Sequence, residues 1–175
     1  MSADRTRARI LDIAAELFRA QGYAGTSIAD IAKRLGSSKA ALYYHFASKE
    51  KILDALLADA LKAHAGIADL AGDAGPEAVL AAAIDMVAGA GGLLAIFGDD
   101  PSVQAVLAGR AELRERDDRI VAALAGSGPG GRVRALAAFA VAKEGTKDVM
   151  AANGGVLPDG ARAELLAAAL RALNP

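Results

Sequence analysis

The chain has 175 residues, no cysteine and a formal net charge of −1, which excludes disulfides, thiolate metal sites and thiol nucleophiles. Hydrophobic residues make up 54% and alanine about a quarter, enough for a sizeable core and biased towards helix nearly everywhere, so an all-α fold is expected. The cleanest apolar run, 78–98, is interrupted by Asp85 and by Gly89-Ala90-Gly91-Gly92, and the first residues lack a signal-peptide pattern, so a soluble, cytoplasmic protein is expected.

The first helix is marked by Ile10, Ile13, Ala14, Leu17 and Phe18, an apolar stripe at helical spacing, with Gly22 as its C-cap. Arg5, Arg7, Arg9 and Arg19 lie off the stripe. A second helix follows in TSIADIAKRLG, 26–36. Thr26 or Ser27 caps it, Ser27 and Asp30 have capping-box spacing, and Gly36 ends it. Ile28, Ile31, Ala32 and Leu35 form its buried face. Ser37 or Ser38 caps a third short helix reaching His45 or Phe46. Leu42 and Phe46 point inward, while Lys39, Ala40, Tyr43 and Tyr44 occupy other faces. Ser48 caps a longer helix, 49–70. Lys49 sits in its first turn, where the helix dipole favours an acid, and so hints at an external anion.

Beyond Pro76 the chain reads as helical with interruptions: 76–97, 101–108, 109–125, 132–152 and 158–173. The run Gly126-Ser127-Gly128-Pro129-Gly130-Gly131 reads as a flexible connector. No strand is expected.

Residues 26–46 have the spacing of a helix-turn-helix: Ala32 where the helices cross, Gly36 at the turn, Leu42 in the second helix. The second helix of such a unit lies in a DNA major groove. Four consecutive ring-bearing residues, Tyr43 to Phe46, fit that role, because they must point in several directions and some must face outward. The Lys39/Tyr43 face can reach base edges, and Tyr hydroxyls, His45 and Lys49 can bond phosphate oxygens. Charge agrees: residues 1–51 hold nine Lys+Arg against five Asp+Glu, the remainder eleven against sixteen.

The run TRARILDIAAELFRAQGYAGTSIADIAKRLGSSKAALYYHFASKEKILDAL, 6–56, closely resembles the DNA-binding region of the tetracycline-repressor (TetR) family. Ala14, Phe18, Gly22, Thr26, Ile31-Ala32, Gly36, Leu42-Tyr43, His45-Phe46 and Ser48-Lys49-Glu50 carry the resemblance. It implies about nine helices: an N-terminal three-helix DNA-binding domain, 1–50, then a helical ligand-binding and dimerisation domain, 51–175. It also implies a homodimer on double-stranded DNA with a near-palindromic operator. Thr26, Tyr43, His45 and Lys49 are the implied phosphate contacts, and Ser38, Lys39, Ala40 and Tyr44 the base-reading set. Ser27, Ser37 and Ala41 complete the candidate DNA-contacting residues.

In the body, Val133, Leu136, Ala137, Ala140 and Val141, with Leu165, Leu166, Ala169, Leu170 and Leu173, are candidates for a four-helix dimer interface around small residues such as Gly145. His64, Met86, Phe97, Arg110 and Phe139 are candidate pocket residues, and the shortage of polar core residues predicts a small, mostly apolar pocket or none. The leading expectation is a repressor released by a small, largely apolar effector; the alternative is a regulator without one, controlled by a protein partner or by abundance. An enzyme is not expected: the two histidines lie on separate elements, and no catalytic group, metal or cofactor is indicated. The charged run from Glu112 to Arg119 reads as a solvated, ion-paired helix face.

Overall fold

The computed structural model describes residues 3–89 and 100–174. Every regular element among them is helical: α1 (Ala3–Gln21), α2 (Ile28–Leu35), α3 (Lys39–His45), α4 (Lys49–Leu56), α5 (Ala58–Leu70), α6 (Pro76–Gly89), α7 (Pro101–Ala108), α8 (Ala111–Leu124), α9 (Gly131–Ala140), α10 (Thr146–Ala152) and α11 (Ala161–Leu173). A π-helical turn, Val141–Gly145, joins α9 to α10 in one rod. No described helix is long and apolar enough to cross a membrane.

The N-terminal unit is folded by periodicity and caps. Ile10, Ile13, Ala14 and Phe18 are buried along α1. Ser27 accepts from the Asp30 amide while the Asp30 carboxylate accepts from the Ser27 amide, closing the capping box. Gly36 ends α2 at φ 72°, a left-handed conformation that glycine adopts without a Cβ clash. Leu42 and Phe46 are buried with Ile31, Ile52 and Leu53 in one cluster. Each such side chain contributes about 1.5–3 kcal/mol of burial, which is what holds helices as short as α2 and α3. The cluster also takes in Leu57 and Val103, so this unit's core crosses the expected 50/51 boundary and recruits α7.

A second cluster fills the body with Ile67, Leu80, Ile84, Ile120, Ala135, Phe139, Met150 and Ala169 among others. Three details depart from the sequence expectation. The 49–70 helix is interrupted at Leu57 (φ −96°, ψ 6°), although Leu57 N–H still donates to Leu53 and Leu61 N–H to Leu57. The last helix begins at Ala161 behind Gly160, so Pro158 lies in the preceding turn. The glycine-rich connector, exposed over 126–130, is pinned at its end: a Cβ on Gly131 would lie 1.9 Å from the Ala125 carbonyl oxygen.

Candidate nucleic-acid interface

α3 is a short, amphipathic platform. Its buried side is Leu42, continued by the C-cap residue Phe46. Its open side carries Lys39, Ala40, Ala41, Tyr43 and Tyr44, and Ser37 and Ser38 lead into it, also exposed. Tyr44 is 84% exposed and Tyr43 51%. The two rings and Lys39 thus form one exposed face. Ser38 orients the helix by accepting from the Ala41 amide at 3.1 Å. The half-buried His45 ring stands edge-on to Tyr44, with centroids 5.3 Å apart. Arg7 of α1 stacks over the Phe46 ring at 4.1 Å and donates to the His45 carbonyl at 3.1 Å. The four consecutive rings thus divide: Phe46 anchors, His45 sits at the margin, and the two tyrosines face out.

Two expected contacts are placed differently. Thr26 is buried, and its hydroxyl donates to the Gly22 carbonyl at 2.8 Å and accepts from Gln21 at 3.2 Å. Its side chain therefore shapes the α1–α2 turn and is shut off from the surface. Lys49 turns inward: its ammonium donates to the carbonyls of Tyr23 (2.7 Å) and Thr26 (2.9 Å) and lies 4.2 Å from the Tyr23 ring centroid. Its position at the start of α4, unfavourable to the dipole, is explained by an anchoring role within the chain. An ammonium has three N–H donors, so one remains for an outside acceptor. Ser27 is exposed, but its hydroxyl is engaged with Asp30, whose carboxyl those hydrogen bonds hold below the usual range.

The platform is tied to the body at two points. Asp100 caps α7 by accepting from the Ser102 amide at 2.8 Å, and its other oxygen accepts from the Tyr23 amide at 2.7 Å. Asp54 of α4 is paired with Arg110 at the start of α8. Burial pushes the Asp54 carboxyl up, but Arg110 and Lys51 outweigh it and hold it below its ordinary value.

Behind α4 lies a cavity of about 410 Å³. Leu57, Ala60, Leu61, Met86, Val87 and Leu107 form an apolar side; His64, Arg114, Asp117, Lys143, Glu144 and Lys147 form a charged end. His64 and Met86 are thus brought to it as expected. Arg110 is held by Asp54, Phe139 lies in the body core with Lys143 4.9 Å from its ring centroid, and Phe97 falls outside the described residues. The lining is mostly apolar, as expected, with one charged end, and Asp117, read as a solvated face residue, turns inward to His64 at 2.8 Å. Helical spacing gives no notice of Lys143 and Glu144, which lie on a π-helical turn that shifts the register, nor of Asp117, whose partner is 53 residues away. Asp100 was findable, since Asp-Pro before an apolar run is a cap signal. Arg7 was not, because its contact spans 38 residues.

Residues 10–56 match the model of bacterial regulatory proteins of the tetR family. The chain is 38% identical over 89 residues to the HTH-type transcriptional regulator SrpR of Pseudomonas putida, 49% of this chain and 41% of that one. Over 46 residues it is 50% identical to IcaR of Staphylococcus aureus, the negative transcriptional regulator of the biofilm operon icaADBC, covering 26% of this chain and 25% of that one. The chain spans well under half the length of these two relatives. Among solved structures, the TetR family transcriptional regulator PfmR of Thermus thermophilus superposes with a TM-score of 0.59 at 27% identity, over 94% of this chain and 97% of that one. These relatives are regulators rather than enzymes. Residues 10–56 thus carry the tetR family signature, and nearly the whole chain shares the fold of a TetR family transcriptional regulator.

Proposed function

We propose that this protein is a homodimeric, sequence-specific DNA-binding transcriptional regulator, a repressor released from a near-palindromic operator by a small molecule in the cavity behind α4. The observation that carries the reading is the exposed α3 face, where Lys39, Tyr43 and Tyr44 stand open on a helix whose other side is fully buried. Lys39 with Ser38, Ala40, Ala41 and Tyr44 reads base edges; Ser27, Ser37, Tyr43, His45 and the remaining donor of Lys49 meet the backbone. Thr26 drops out of the contact set, because its hydroxyl is buried. The chain works in the cytoplasm, as a head (1–50) whose core continues to Leu57 and a regulatory and dimerisation body (51–175).

Dimerisation is supported by α9. Val133, Leu136, Ala137 and Ala140, at i, i+3, i+4 and i+7, are all exposed, while Ala135, Ala138 and Phe139 are buried. α11 packs beside α9, with Leu165, Leu166 and Leu170 only partly buried. Gly145 admits α11 closely, since a Cβ there would lie 3.1 Å from Leu165. The repressing sign is supported by the likeness to IcaR. The cavity favours a small effector over control by abundance. A ligand that prefers one conformer shifts the separation of the two α3 helices away from the spacing of about 34 Å between successive major grooves.

The test is selection of bound duplexes from a random pool, followed by anisotropy titrations at several salt concentrations. A two-fold-symmetric consensus with half-sites one helical turn apart, and affinity falling steeply with salt, is expected. Absence of any consensus at low salt overturns the reading.

A further inference from the structure

The charged end of the cavity is internally balanced at every group but one. Asp117 accepts from Nε2 of His64 at 2.8 Å and lies 3.7 Å from Lys143. Glu144 is paired with Lys147, and Arg114 donates to the Ala108 carbonyl. His64 is only 7% exposed, and its second ring nitrogen, Nδ1, is buried without a hydrogen-bond partner among the described residues. Burial raises the Asp117 carboxyl, but the bond from His64 and the charge of Lys143 outweigh it and hold it below its ordinary value. An ionised carboxylate only accepts, so Nε2 carries a proton, and in the singly protonated ring Nδ1 is then an acceptor. A buried polar atom without a partner is rare and costly.

We propose that the cavity takes a neutral, largely apolar molecule bearing one hydroxyl group, whose O–H donates to Nδ1 of His64. This rests on reading the cavity as the effector site. Shape and charge select the class. The wall of Leu57, Leu61, Met86 and Leu107 asks for an apolar body, and about 410 Å³ lies at the low end of small-molecule sites, roughly 300–1,000 Å³. A carboxylate could pair with Arg114, which among the described residues donates only to the Ala108 carbonyl, but it would present lone pairs to the Nδ1 lone pair and leave that acceptor unsatisfied. An ammonium would enter beside three cations, Arg114, Lys143 and Lys147, against two carboxylates, Asp117 and Glu144. A hydroxyl satisfies the one open acceptor and disturbs no pair. The π-helical turn is what brings Lys143 and Glu144 to this wall, and it is held by the buried Thr146 hydroxyl donating to the Ala142 carbonyl at 2.7 Å.

The test uses the full chain and three probes on one skeleton: 2-naphthol, 2-methoxynaphthalene and 2-naphthoate. Binding is measured by calorimetry and by the imidazole ¹⁵N spectrum, which holds only two histidines, His45 and His64. Naphthol is expected to bind at least tenfold tighter than the ether or the naphthoate, and to move an unprotonated Nδ1 signal of His64 that the ether leaves in place. His64→Phe should abolish the preference for naphthol over its ether; the probe comparison on the unaltered protein stands if that variant misfolds. Equal binding of naphthol and ether, tighter binding of naphthoate, a doubly protonated His64 ring, or no naphthol binding at millimolar concentration overturns the proposal. Duplex affinity is read in parallel. If naphthol engages His64 and duplex affinity is unchanged, the effector reading fails and the ligand class stands; if naphthol releases duplex with the His64 signal unmoved, the ligand class fails alone.

Discussion

The head and the body are both helical, yet they hold their chemistry in opposite ways. In the head, α2, α3 and α4 each start at a serine cap, and the working side chains stand outward on α3. In the body, α8, α9 and α10 start without any side-chain cap, and the polar groups converge inward on a cavity. The head's helix starts are specified locally, by serines three residues from the amides they cap. The body is specified by long-range packing, with His64 and Asp117 meeting across 53 residues and Asp85 and Arg162 across 77. Capped helices tolerate changes on the outer face and punish changes at an anchor; uncapped ones punish added bulk where backbone passes close to backbone.

That contrast can be broken first at its anchors. Leu42 is fully buried under the exposed face of α3. Leu42→Ala is expected to cost about 2–5 kcal/mol in chemical denaturation and to abolish duplex binding, because the cavity lies beneath the reading helix itself. Loss of stability with duplex affinity retained would show that α3 is positioned by something other than this core.

In the body the matching site is Gly131. A methyl there meets backbone rather than a side chain that could turn away, so Gly131→Ala is expected to cost about 1–3 kcal/mol. By contrast, a Cβ on Gly126 meets nothing within 4 Å, so Gly126→Ala meets only the strain of its φ of 58°. Equal effects at the two positions would mean that the connector is not set by close approach.

The seam between the two regions should be acid-sensitive. Asp54 faces Arg110 across it, and its carboxyl lies below its ordinary value in the fold. A lowered folded-state value means that the pair's stabilisation is complete above the unfolded value, about pH 4, and is lost as pH falls through the folded value. Asp54→Asn should therefore lower stability at neutral pH by about 1–2 kcal/mol and flatten the fall on acidification. An unchanged acid profile would place the sensitivity elsewhere, with Asp117 the next candidate.

Lys49 separates anchoring from contact. A pure phosphate contact would weaken all duplexes alike and leave the fold untouched. Because its ammonium bonds the Tyr23 and Thr26 carbonyls, Lys49→Ala is expected to lower stability by about 1 kcal/mol as well as affinity. Lys39→Ala, on an exposed position, should leave stability alone and relax the consensus instead.

How much of this was legible in the sequence follows the same division. The capping box at Ser27 and Asp30, the turn at Gly36 and the inward pair Leu42 and Phe46 were readable because each depends on residues a few positions apart. The candidate reading face came with them. The buried bond of the Thr26 hydroxyl and the inward bonds of the Lys49 ammonium were not readable, because residue type announces a polar group but not the direction in which the turn aims it. The cavity was legible only in His64 and Met86. Its charged end depends on a π-helical turn and on Asp117 crossing to another helix, and neither leaves a periodic trace.

Arg7 gives the smallest and most diagnostic effect. It belongs to α1 and lies outside the apolar stripe, yet its guanidinium covers Phe46 and bonds the last carbonyl of α3. Because the residue is exposed, Arg7→Ala should cost only about 0.5–1 kcal/mol of stability. Its effect on duplex binding should be larger than that figure implies, since the contact fixes where α3 ends and so where Tyr44 and His45 point. Arg7→Lys discriminates the causes: it keeps the charge but lacks the planar group that stacks on the ring and bonds the carbonyl together. If Arg7→Lys restores duplex affinity fully, Arg7 acts through charge on the phosphates. If it restores the salt dependence but not the affinity, the stacked guanidinium aims the reading helix, and the head's geometry is set from α1 as well as from its caps.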